Sequence, residues 1–358
     1  MKYIIFALPL FLMACGGSTN NQVENNEQET SSTIEFFGNT QGTTFSVFVN
    51  DPINLELEEI ETTLHNFDLA LSTYIPNSIV SHLNDTKSNV FMYRDSFGYF
   101  NRCYLLSQEV YRVTEGAFDP TVYPLIDGWG FLKDRSHRPD SAAVDSLRSL
   151  IGFTAGYHFN PIQVSDTAVA STIIKNTPNA KLDFNAIAQG IAVDVLAELI
   201  ESKGGKNYFV EIGGEIRVNG KNKDGNFWNI GIDKPVENSS ANDRVIYEIV
   251  SIDNRSIATS GSYRKFYEED GIKYSHTINP KTGYPVTHTL LSATVVADNC
   301  GLADAMATAM MVMGPDKGMD FVKAHPELNI EVYLMFNNAK HRLETYYTEG
   351  FKEMIVED

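Results

Sequence analysis

The sequence predicts an α+β fold. Amphipathic helical segments and short β-type runs are mixed along the chain without a regular β-α-β alternation, and no internal repeat is present. The 358 residues are 43% hydrophobic and 21% charged, which is enough apolar material for a substantial core. This length corresponds to about two average domains, or to one large one.

The chain contains segments whose apolar residues recur every three or four positions, which is the spacing of a helix with one buried face. A first helix is expected to follow Asn54 as its cap, and a second to follow Ser96 and to end at Gly116. A third is expected over residues 185–202, ended by two glycines. The residues expected to face the core are Leu57, Ile60, Leu64, Phe67, Leu71, Phe100, Cys103, Leu106, Val110, Val113, Ala188, Ile191, Val195 and Leu199.

The C-terminal half mixes β-type runs with two helical segments and ends in a pattern typical of a hairpin around Asn337-Asn338-Ala339. In chain order, the expected elements are strands at 208–212, 216–218, 228–232 and 245–252, a helix of small residues at 302–313, a short helix at 316–324, and strands at 330–336 and 342–347.

The N-terminus has the pattern of an export signal. An apolar run of about ten residues follows Lys2, which is too short to span a bilayer and is typical of a secretory signal. The sequence LMAC at residues 12–15 resembles the bacterial lipobox, so we expect residues 1–14 to be removed and Cys15 to be acylated. The alternative is an ordinary signal peptide with a chance cysteine. The lipobox predicts an exported protein that is lipid-anchored to a bacterial membrane, on the periplasmic side or at the cell surface.

Residues 15–32 are polar and contain no aromatic side chain. Such a segment cannot bury enough apolar surface to fold, so we expect a flexible tether. No later run reaches the ~18 consecutive apolar residues of a membrane helix. Residues 33–358 are therefore expected to form the folded domain.

Composition restricts the possible ligands. The chain has 28 Lys and Arg against 46 Asp and Glu, a formal net charge of -18, which argues against nucleic-acid binding. An anionic ligand would have to be held by a metal ion or by backbone N–H groups. The cysteines are Cys15, Cys103 and Cys300, with no Cys-x-x-Cys pair, so a structural zinc site or a disulfide scaffold is not expected.

The first of four chemically suggestive segments is GAFDPTV at residues 116–122, just after the second predicted helix. Its backbone N–H groups and the Asp119 carboxylate are candidates to contact a ligand, and a carboxylate suits ribose hydroxyls or an exocyclic amine. Asp119 as a simple local cap is the alternative.

The second segment is LDFNAIAQG at residues 182–190. Asn185 is a candidate helix cap. The small residues Ala186, Ala188 and Gly190 would alternatively let a diphosphate approach the N-terminus of the helix, where the helix dipole favours anions.

The third segment combines ATSGSY at residues 258–263 with YSHTINPKTGYP at residues 274–285. His276 is the histidine that lies within hydroxyl-rich and glycine-rich sequence, so it is a candidate reactive group; the alternative is a hydrogen-bonded structural histidine. Ser260 lacks the Gly-x-Ser-x-Gly pattern of a serine nucleophile.

The fourth segment is ADAMAT at residues 303–308. Asp304 and Thr308 are four residues apart, so a helix places them on one face. A carboxylate, a hydroxyl and nearby backbone carbonyls form the kind of oxygen site that Mg²⁺ shares with substrate phosphates. Thr308 bonding back along its own helix is the alternative.

Taken together and in order, these segments resemble the ApbE family of FAD:protein FMN transferases. The resemblance covers almost the whole predicted domain. The motifs that carry it are QGT at 41–43, LSTY at 71–74, GAFDPTVYPLIDGWGF at 116–131, LDFNAIAQG at 182–190, VEIGGEIRVNG at 210–220, IATSGSY at 257–263, SHTINPKTGYPV at 275–286 and the segment from Ala303 through Thr308.

This resemblance implies a two-lobed catalytic domain over residues 33–358, with the flavin nucleotide site between the lobes. It implies transfer of FMN from FAD, through its phosphate, to a Ser or Thr hydroxyl of a target redox flavoprotein, with release of AMP. Two alternatives remain: an FAD diphosphatase that yields FMN and AMP, and a non-catalytic FAD-binding lipoprotein.

The resemblance also assigns site residues. Mg²⁺ would be held by Asp304, by Thr308 and by a main-chain oxygen of Ala186, and His276 would be the reactive-site histidine. Tyr74 would stack on the isoalloxazine ring. The complete set of implied FAD contacts is Gln41, Tyr74, Ala117, Phe118, Asp119, Asp183, Gln189 and Ile278.

The chain departs from the family pattern at three positions, two of which belong to this set. Gln41 replaces a methionine, Asn279 replaces an aspartate, and Gln189 replaces a basic residue. We expect these changes to bear on the transfer rate and on target choice rather than on FAD binding.

Overall fold

An eight-stranded antiparallel sheet organises the α+β fold, which confirms the predicted fold class. The structure is a computed structural model that describes residues 33–131, 138–153, 157–165, 168–236, 245–262, 266–269, 272–275 and 277–357. The described residues belong to one compact unit. Among the described residues, no helix is long and apolar enough to cross a membrane.

The described helices are α1 (Leu57–Leu71), α2 (Ile79–Asp85), α3 (Tyr99–Val113), α4 (Tyr123–Gly128), α5 (Ser141–Arg148), α6 (Ala188–Ser202), α7 (Cys300–Met313), α8 (Pro315–Ala324) and α9 (Glu349–Lys352).

The described strands are β1 (Ile34–Thr40), β2 (Thr43–Val49), β3 (Val90–Asp95), β4 (Tyr157–Ser165), β5 (Ala168–Lys175), β6 (Tyr208–Ile212), β7 (Glu215–Asn219), β8 (Trp228–Asp233), β9 (Ile246–Ile252), β10 (Arg255–Gly261), β11 (Phe266–Glu269), β12 (Ile272–Ser275), β13 (Ile278–Asn279), β14 (Tyr284–Pro285), β15 (Leu290–Ala297), β16 (Glu331–Asn337) and β17 (Leu343–Tyr347).

The large sheet has the strand order β1-β2-β6-β7-β10-β15-β16-β17. Helices α6 and α7 cover one face and pack against α1 and α3 on their outer side. The β8–β9 hairpin and α9 cover the opposite face. Strand β16 shows why both faces are buried: Val332 and Leu334 join the helix-side core, whereas Tyr333 and Met335 join the other core, as strand alternation requires.

Smaller elements surround this sheet. A three-stranded sheet has the order β3-β5-β4. A third apolar cluster joins α4, α5 and β13 through Leu125, Trp129, Val144 and Ile278. The Trp129 indole N–H donates to the Gly283 carbonyl at 2.8 Å, which ties α4 to the turn between β13 and β14.

The predicted helices of the N-terminal part exist, but each begins later than expected. Helix α1 is preceded by Glu56, whose side chain forms a capping box with Glu59, rather than by Asn54. Helix α3 follows Gly98 rather than Ser96, because Asp95 accepts from the Asn101 N–H at 2.8 Å and Gly98 turns the chain with a positive φ. Helix α6 begins at 188 rather than 185, since Asn185 is used in a turn described below.

The predicted strands and helices of the C-terminal half are confirmed, with shifts of one or two residues at most of their ends. The β1–β2 hairpin was not predicted. It closes through Gln41 and Gly42, which have φ values of 50° and 75°, so that Thr40 pairs with Thr43. Two consecutive residues with left-handed backbone conformation (positive φ) are typical of a type I′ turn, although glutamine seldom adopts this conformation.

Candidate active site

Helices α6 and α7 cross at backbone contact, and glycine makes this possible. A Cβ atom added at Gly190 would lie 2.4 Å from the Cys300 carbonyl oxygen and 2.8 Å from the Asp304 Cβ. These distances leave no room for a side chain at position 190. The first turn of α6 is therefore held directly against the first turns of α7.

A buried carboxylate on α6 fixes the beginning of α7. Asp194 accepts hydrogen bonds from the Cys300 and Gly301 N–H groups, each at 2.9 Å. It also accepts from the Arg217 guanidinium at 3.0 Å, and Arg102 lies 3.8 Å away. The N–H groups at the start of a helix lack partners within it, so Asp194 acts as a cap supplied by another helix.

Asp304 occupies the interior of this crossing. Its Oδ2 atom accepts from the Gly190 N–H at 3.1 Å, in the first turn of α6. Burial raises the pKa of Asp304 to about 7, and the hydrogen bond from Gly190 offsets this only in part. One turn later on α7, the Thr308 hydroxyl lies 3.2 Å from the Ser260 hydroxyl of β10. Asp304 and Thr308 therefore lie one turn apart on one side of α7, as their spacing predicts, with Asp304 against α6 and Thr308 against β10.

Ala186 and Gln189 belong to the same corner of the molecule. Ala186 lies in the turn that leads into α6, one residue before the cap residue Ile187. Gln189 is the second residue of α6, and its side-chain nitrogen lies 3.0 Å from the position that a Cβ of Gly213 would occupy. At the N-terminus of α6 the Ala188 N–H already donates to the Phe184 carbonyl at 2.8 Å and the Gly190 N–H to Asp304, so the feature that suits an anion there is the positive end of the helix dipole.

Sequence reasoning assigned no role to Glu215, although the structure places it in this corner. It is the first residue of β7, and it is 7% exposed. Burial, together with the charge of Asp304, holds the pKa of Glu215 well above its usual range. The sequence does contain a signal for it: Glu215 is an acidic residue directly after Gly213-Gly214, in a predicted strand whose charged and apolar residues alternate.

The second and first motif segments are joined by the backbone. The Asp183 N–H donates to the Pro120 carbonyl at 2.7 Å. Asn84 holds the residue before it, because its side chain both donates to the Leu182 carbonyl and accepts from the Leu182 N–H at 2.8 Å. These contacts hold the LDFNAIAQG segment (182–190) beside the GAFDPTV segment (116–122).

Asp119 and Asp183 are both buried where these two segments meet. Asp119 Oδ1 accepts from the backbone N–H and the hydroxyl of Thr121 at 2.8 and 2.6 Å. Burial raises the pKa of Asp119 to about 6, against the opposing effect of Thr121. Asp183 accepts from the Asn185 N–H at 2.8 Å, and burial also raises its pKa. Ala117 and Phe118 are buried beside Asp119, and their backbone N–H groups donate to the carbonyl and the hydroxyl of Thr114 at 3.1 and 3.2 Å, so their carbonyl groups are the polar groups left for a ligand.

The remaining predicted residues are distributed around these segments. Tyr74 is 78% exposed between α1 and α2, which leaves its ring face open to stacking. Gln41 lies in the β1–β2 turn close to Asp68, whose pKa is raised by burial and lowered in part by Gln41. Ile278 is buried in the cluster of α4 and α5. His276 lies outside the described residues, so its assignment stays a prediction.

The oxygen atoms near the start of α6 are candidates to hold a hard cation. Its donor set would be the Asp304 carboxylate, the Thr308 hydroxyl and the Ala186 main-chain carbonyl. Within the described parts of the chain, no group of three or more His, Cys, Asp and Glu side chains has the arrangement of a metal site. A site of this kind therefore depends on fewer than three such side chains, supplemented by neutral oxygens and by the ligand itself.

The fold and this arrangement define a protein with a candidate anion and cation site at a helix N-terminus inside an α+β domain. The model of the ApbE family matches residues 41–334 of the chain. The chain belongs to the ApbE family.

Individual relatives agree with this assignment. The FAD:protein FMN transferase of Vibrio cholerae is 35% identical over 331 residues, covering 90% of this chain and 92% of the relative. The FAD:protein FMN transferase of Haemophilus influenzae is 33% identical and covers 98% of this chain and 96% of its own length.

Solved structures share the fold. The flavin transferase ApbE from Vibrio cholerae superposes with a TM-score of 0.76 at 32% identity, covering 90% of this chain and 99% of that one. The ApbE protein from Thermotoga maritima gives a TM-score of 0.73 at 24% identity, over 91% of this chain and 100% of that one, which is a likeness of fold alone.

Proposed function

We propose that this protein transfers FMN from FAD to a serine or threonine hydroxyl of a target flavoprotein and releases AMP, with the help of a Mg²⁺ ion at the N-terminus of α6. The enzyme class is supported by membership of the ApbE family and by relatives named FAD:protein FMN transferase. The single observation that carries the site is the buried Asp304 carboxylate, held against the first turn of α6 by Gly190, one helical turn before Thr308.

The residues at this corner fit a magnesium ion. Gly190 brings the two helices to backbone contact, and the carboxylate inside the crossing has one backbone hydrogen bond and a second carboxylate as its neighbour. Asp304, Thr308 and the carbonyl of Ala186 would hold the ion. When bound, Mg²⁺ supplies charge neutralisation on the FAD diphosphate and on the leaving phosphate.

The rest of the site binds and orients the nucleotide. The positive end of the α6 dipole lies at the same corner as Asp304, so it favours the diphosphate there. Asp119 and Asp183 would accept hydrogen bonds from the hydroxyl or amine groups of the nucleotide. Tyr74 would stack on the isoalloxazine ring with its exposed face.

The reaction itself is a displacement at phosphorus. The oxygen of the acceptor hydroxyl forms a bond to the FMN phosphorus, the bond from that phosphorus to the bridging oxygen breaks, and AMP leaves with the bridging oxygen. We propose that His276 accepts the proton of the acceptor hydroxyl. Such general-base catalysis accelerates a reaction by roughly 10²–10⁴-fold. Phosphoryl transfer depends mainly on positioning and charge stabilisation, which are the properties that a buried, preorganised corner provides.

The function is tested by incubating the purified protein with FAD, Mg²⁺ and a panel of exported redox subunits from the same cell. We expect flavin fluorescence that stays on one subunit after denaturation, together with an equal amount of AMP. Free FMN and AMP without a labelled subunit would indicate the diphosphatase. Retention of one FAD without AMP would indicate a binding protein.

The variant Asp304→Asn tests the cation site, because it keeps the size of the side chain but removes its charge. We expect this variant to release AMP at least ~10²-fold more slowly, because charge stabilisation of the transferred phosphoryl group is lost. A variant with unchanged AMP release would contradict the cation site.

We also propose that the mature protein is exported and anchored by lipid on Cys15. The support is the LMAC sequence after a short apolar run, since residues 1–32 lie outside the described residues. Growth with an alkyne-bearing fatty acid should label the protein, and Cys15→Ser should remove the label and release the protein from the membrane fraction. Equal labelling of the Cys15→Ser variant would contradict this proposal.

A further inference from the structure

Glu215 is a buried acidic side chain to which the proposed mechanism gives no role. It begins β7, directly after the two-residue turn Gly213-Gly214 that closes the β6–β7 hairpin. Both glycines have positive φ values, 66° and 112°, so the turn holds Glu215 in a defined register opposite Ile212. The carboxylate therefore starts from a backbone position that the strand pairing fixes.

The register of β7 directs this carboxylate toward the helices. Ile216 and Val218 belong to the core on the other side of the sheet, so Glu215 and Arg217 share the face that α6 and α7 cover. Arg217 uses this orientation to reach Asp194 on α6 at 3.0 Å. Glu215, two residues nearer to the turn, is close enough to Asp304 for the two charges to interact.

The surroundings of Glu215 leave one of its oxygens without a protein partner. Oε2 is fully buried and makes no hydrogen bond to any of the described residues. It lies 3.4 Å from the position of a Cβ on Gly213, beside the Gln189 side chain at 3.0 Å from the same point. A buried oxygen of this kind is costly unless a ligand supplies the missing interaction.

The charges around Glu215 make the missing interaction a cationic one. The charged groups that act on it among the described residues are Asp304 and Glu211, and both are negative. Burial and these charges hold the pKa of Glu215 well above its usual range, which its own backbone N–H opposes only in part. Without a cation, two neighbouring buried carboxylates relieve their repulsion when one of them holds a proton; a cation beside them allows both to ionise.

We infer that Glu215 is a second carboxylate of the cation site, acting beside Asp304. The inference rests on the proposed function for the presence of that site and adds a ligand to it. Two carboxylates, a hydroxyl and a carbonyl are hard oxygen donors, and the added negative charge strengthens the hold on a divalent cation before FAD arrives. This would give the protein a resident cation, rather than one delivered with the nucleotide.

The test measures cation binding to the purified full-length protein without FAD. Mn²⁺ is the probe, with the free-ion signal in electron paramagnetic resonance as the readout and competition by Mg²⁺ as a second readout. We expect Glu215→Gln to weaken Mn²⁺ binding roughly tenfold or more, and Asp304→Asn to abolish it. The increase of the melting temperature with Mg²⁺ should shrink in the same order.

Glu211→Gln is the matched control, because it removes the same charge from the other strand of the same hairpin, where the carboxylate accepts from the Gly214 N–H at 2.8 Å. We expect this variant to bind Mn²⁺ within about twofold of the wild type. Equal weakening by Glu211→Gln would reduce the effect to general charge and overturn the inference.

The remaining outcomes separate this inference from the proposed function. Normal binding by Glu215→Gln with loss in Asp304→Asn would remove Glu215 and keep the site. Normal binding by Asp304→Asn would overturn both. If Glu215→Gln does not fold by circular dichroism, Glu215→Asp retains the charge on a shorter side chain, and we expect Mn²⁺ affinity weaker than the wild type; unchanged affinity would overturn the inference.

Discussion

Two buried aspartates, one on each of the crossing helices, differ in how their charge is compensated. Asp194 on α6 receives two backbone N–H groups of α7 and two arginines. Asp304 on α7 receives one N–H group of α6 and has the Glu215 carboxylate as its charged neighbour. The hydrogen bonds thus run in both directions between the helices, but only one of the two carboxylates is surrounded by positive partners.

This difference separates a structural acid from one that is available to a ligand. Burial raises the pKa of both groups, but at Asp194 two N–H groups and two guanidinium groups oppose the effect, whereas at Asp304 one N–H group does. The burial of a carboxylate alone is therefore not informative about function. The informative quantity is the number and the sign of the groups that face it.

The largest expected effect is on stability and falls on the compensated acid. Asp194→Asn should lower the free energy of unfolding by about 3 kcal/mol, because it leaves Arg217 without its buried partner and loosens the cap of α7. Asp304→Asn should change it by less than about 1 kcal/mol, since the amide oxygen can still accept from Gly190. Urea denaturation of the cation-free variants measures both values.

The comparison would break if the two variants lost similar amounts of stability. It would be inverted if Asp304→Asn were the more destabilised, which would make Asp304 the structural acid. FAD-dependent AMP release gives the reverse order in our interpretation: Asp194→Asn should retain activity at temperatures where it is folded.

A second prediction tests whether the backbone contact between the helices positions Asp304. Gly190→Ala places a methyl group 2.4 Å from the Cys300 carbonyl oxygen, and we expect a loss of about 1–3 kcal/mol in unfolding free energy together with lost AMP release. The backbone cannot move aside without displacing α7. The control is Gly301→Ala, at the same crossing.

In that control the added methyl group meets the Ile191 and Leu106 side chains at 2.6 and 3.1 Å. Side chains can adopt another rotamer, so Gly301→Ala should cost less stability and retain more AMP release. Equal effects of the two variants on AMP release would mean that overpacking, rather than the position of Asp304, accounts for the loss.

Much of this site follows from local sequence patterns. The spacing of Asp304 and Thr308 correctly predicts a shared helix face, because four residues are close to one turn. Apolar periodicity likewise predicts α1, α3 and α6, and a run of small residues predicts α7. Leu57 of α1 is nevertheless exposed, and α6 and α7 are buried on nearly all sides, because they lie between the sheet and the outer helices. The family resemblance was carried by such short segments and is confirmed by the family model.

What sequence could not supply is the pairing between distant segments. Asn185 has the residue type of a cap, but Asp183 accepts its N–H in a turn, so α6 starts three residues later. Asp194 and Asp304 are indistinguishable as acids inside apolar helices until their partners are known. The role of Glu215 also depends on β7 facing α7, a contact between residues about ninety positions apart that no local period encodes.

The smallest expected effect concerns Asp119, which is intermediate between the two helix aspartates because Thr121 alone donates to it among the described residues. Its pKa of about 6 lies above the ordinary 3.8, so folding takes up a proton on Asp119 between these values. The free energy of unfolding of the ligand-free protein should therefore fall as the pH rises through this window.

If the ionised carboxylate is the form that binds FAD, lowering the pH from 7.5 to 5 should weaken FAD binding by about tenfold. Asp119→Asn should bind FAD more weakly at pH 7.5 and without this pH dependence, as measured by quenching of flavin fluorescence. An equal pH dependence in the variant would assign the titration to another group and leave Asp119 with the structural role of Asp194.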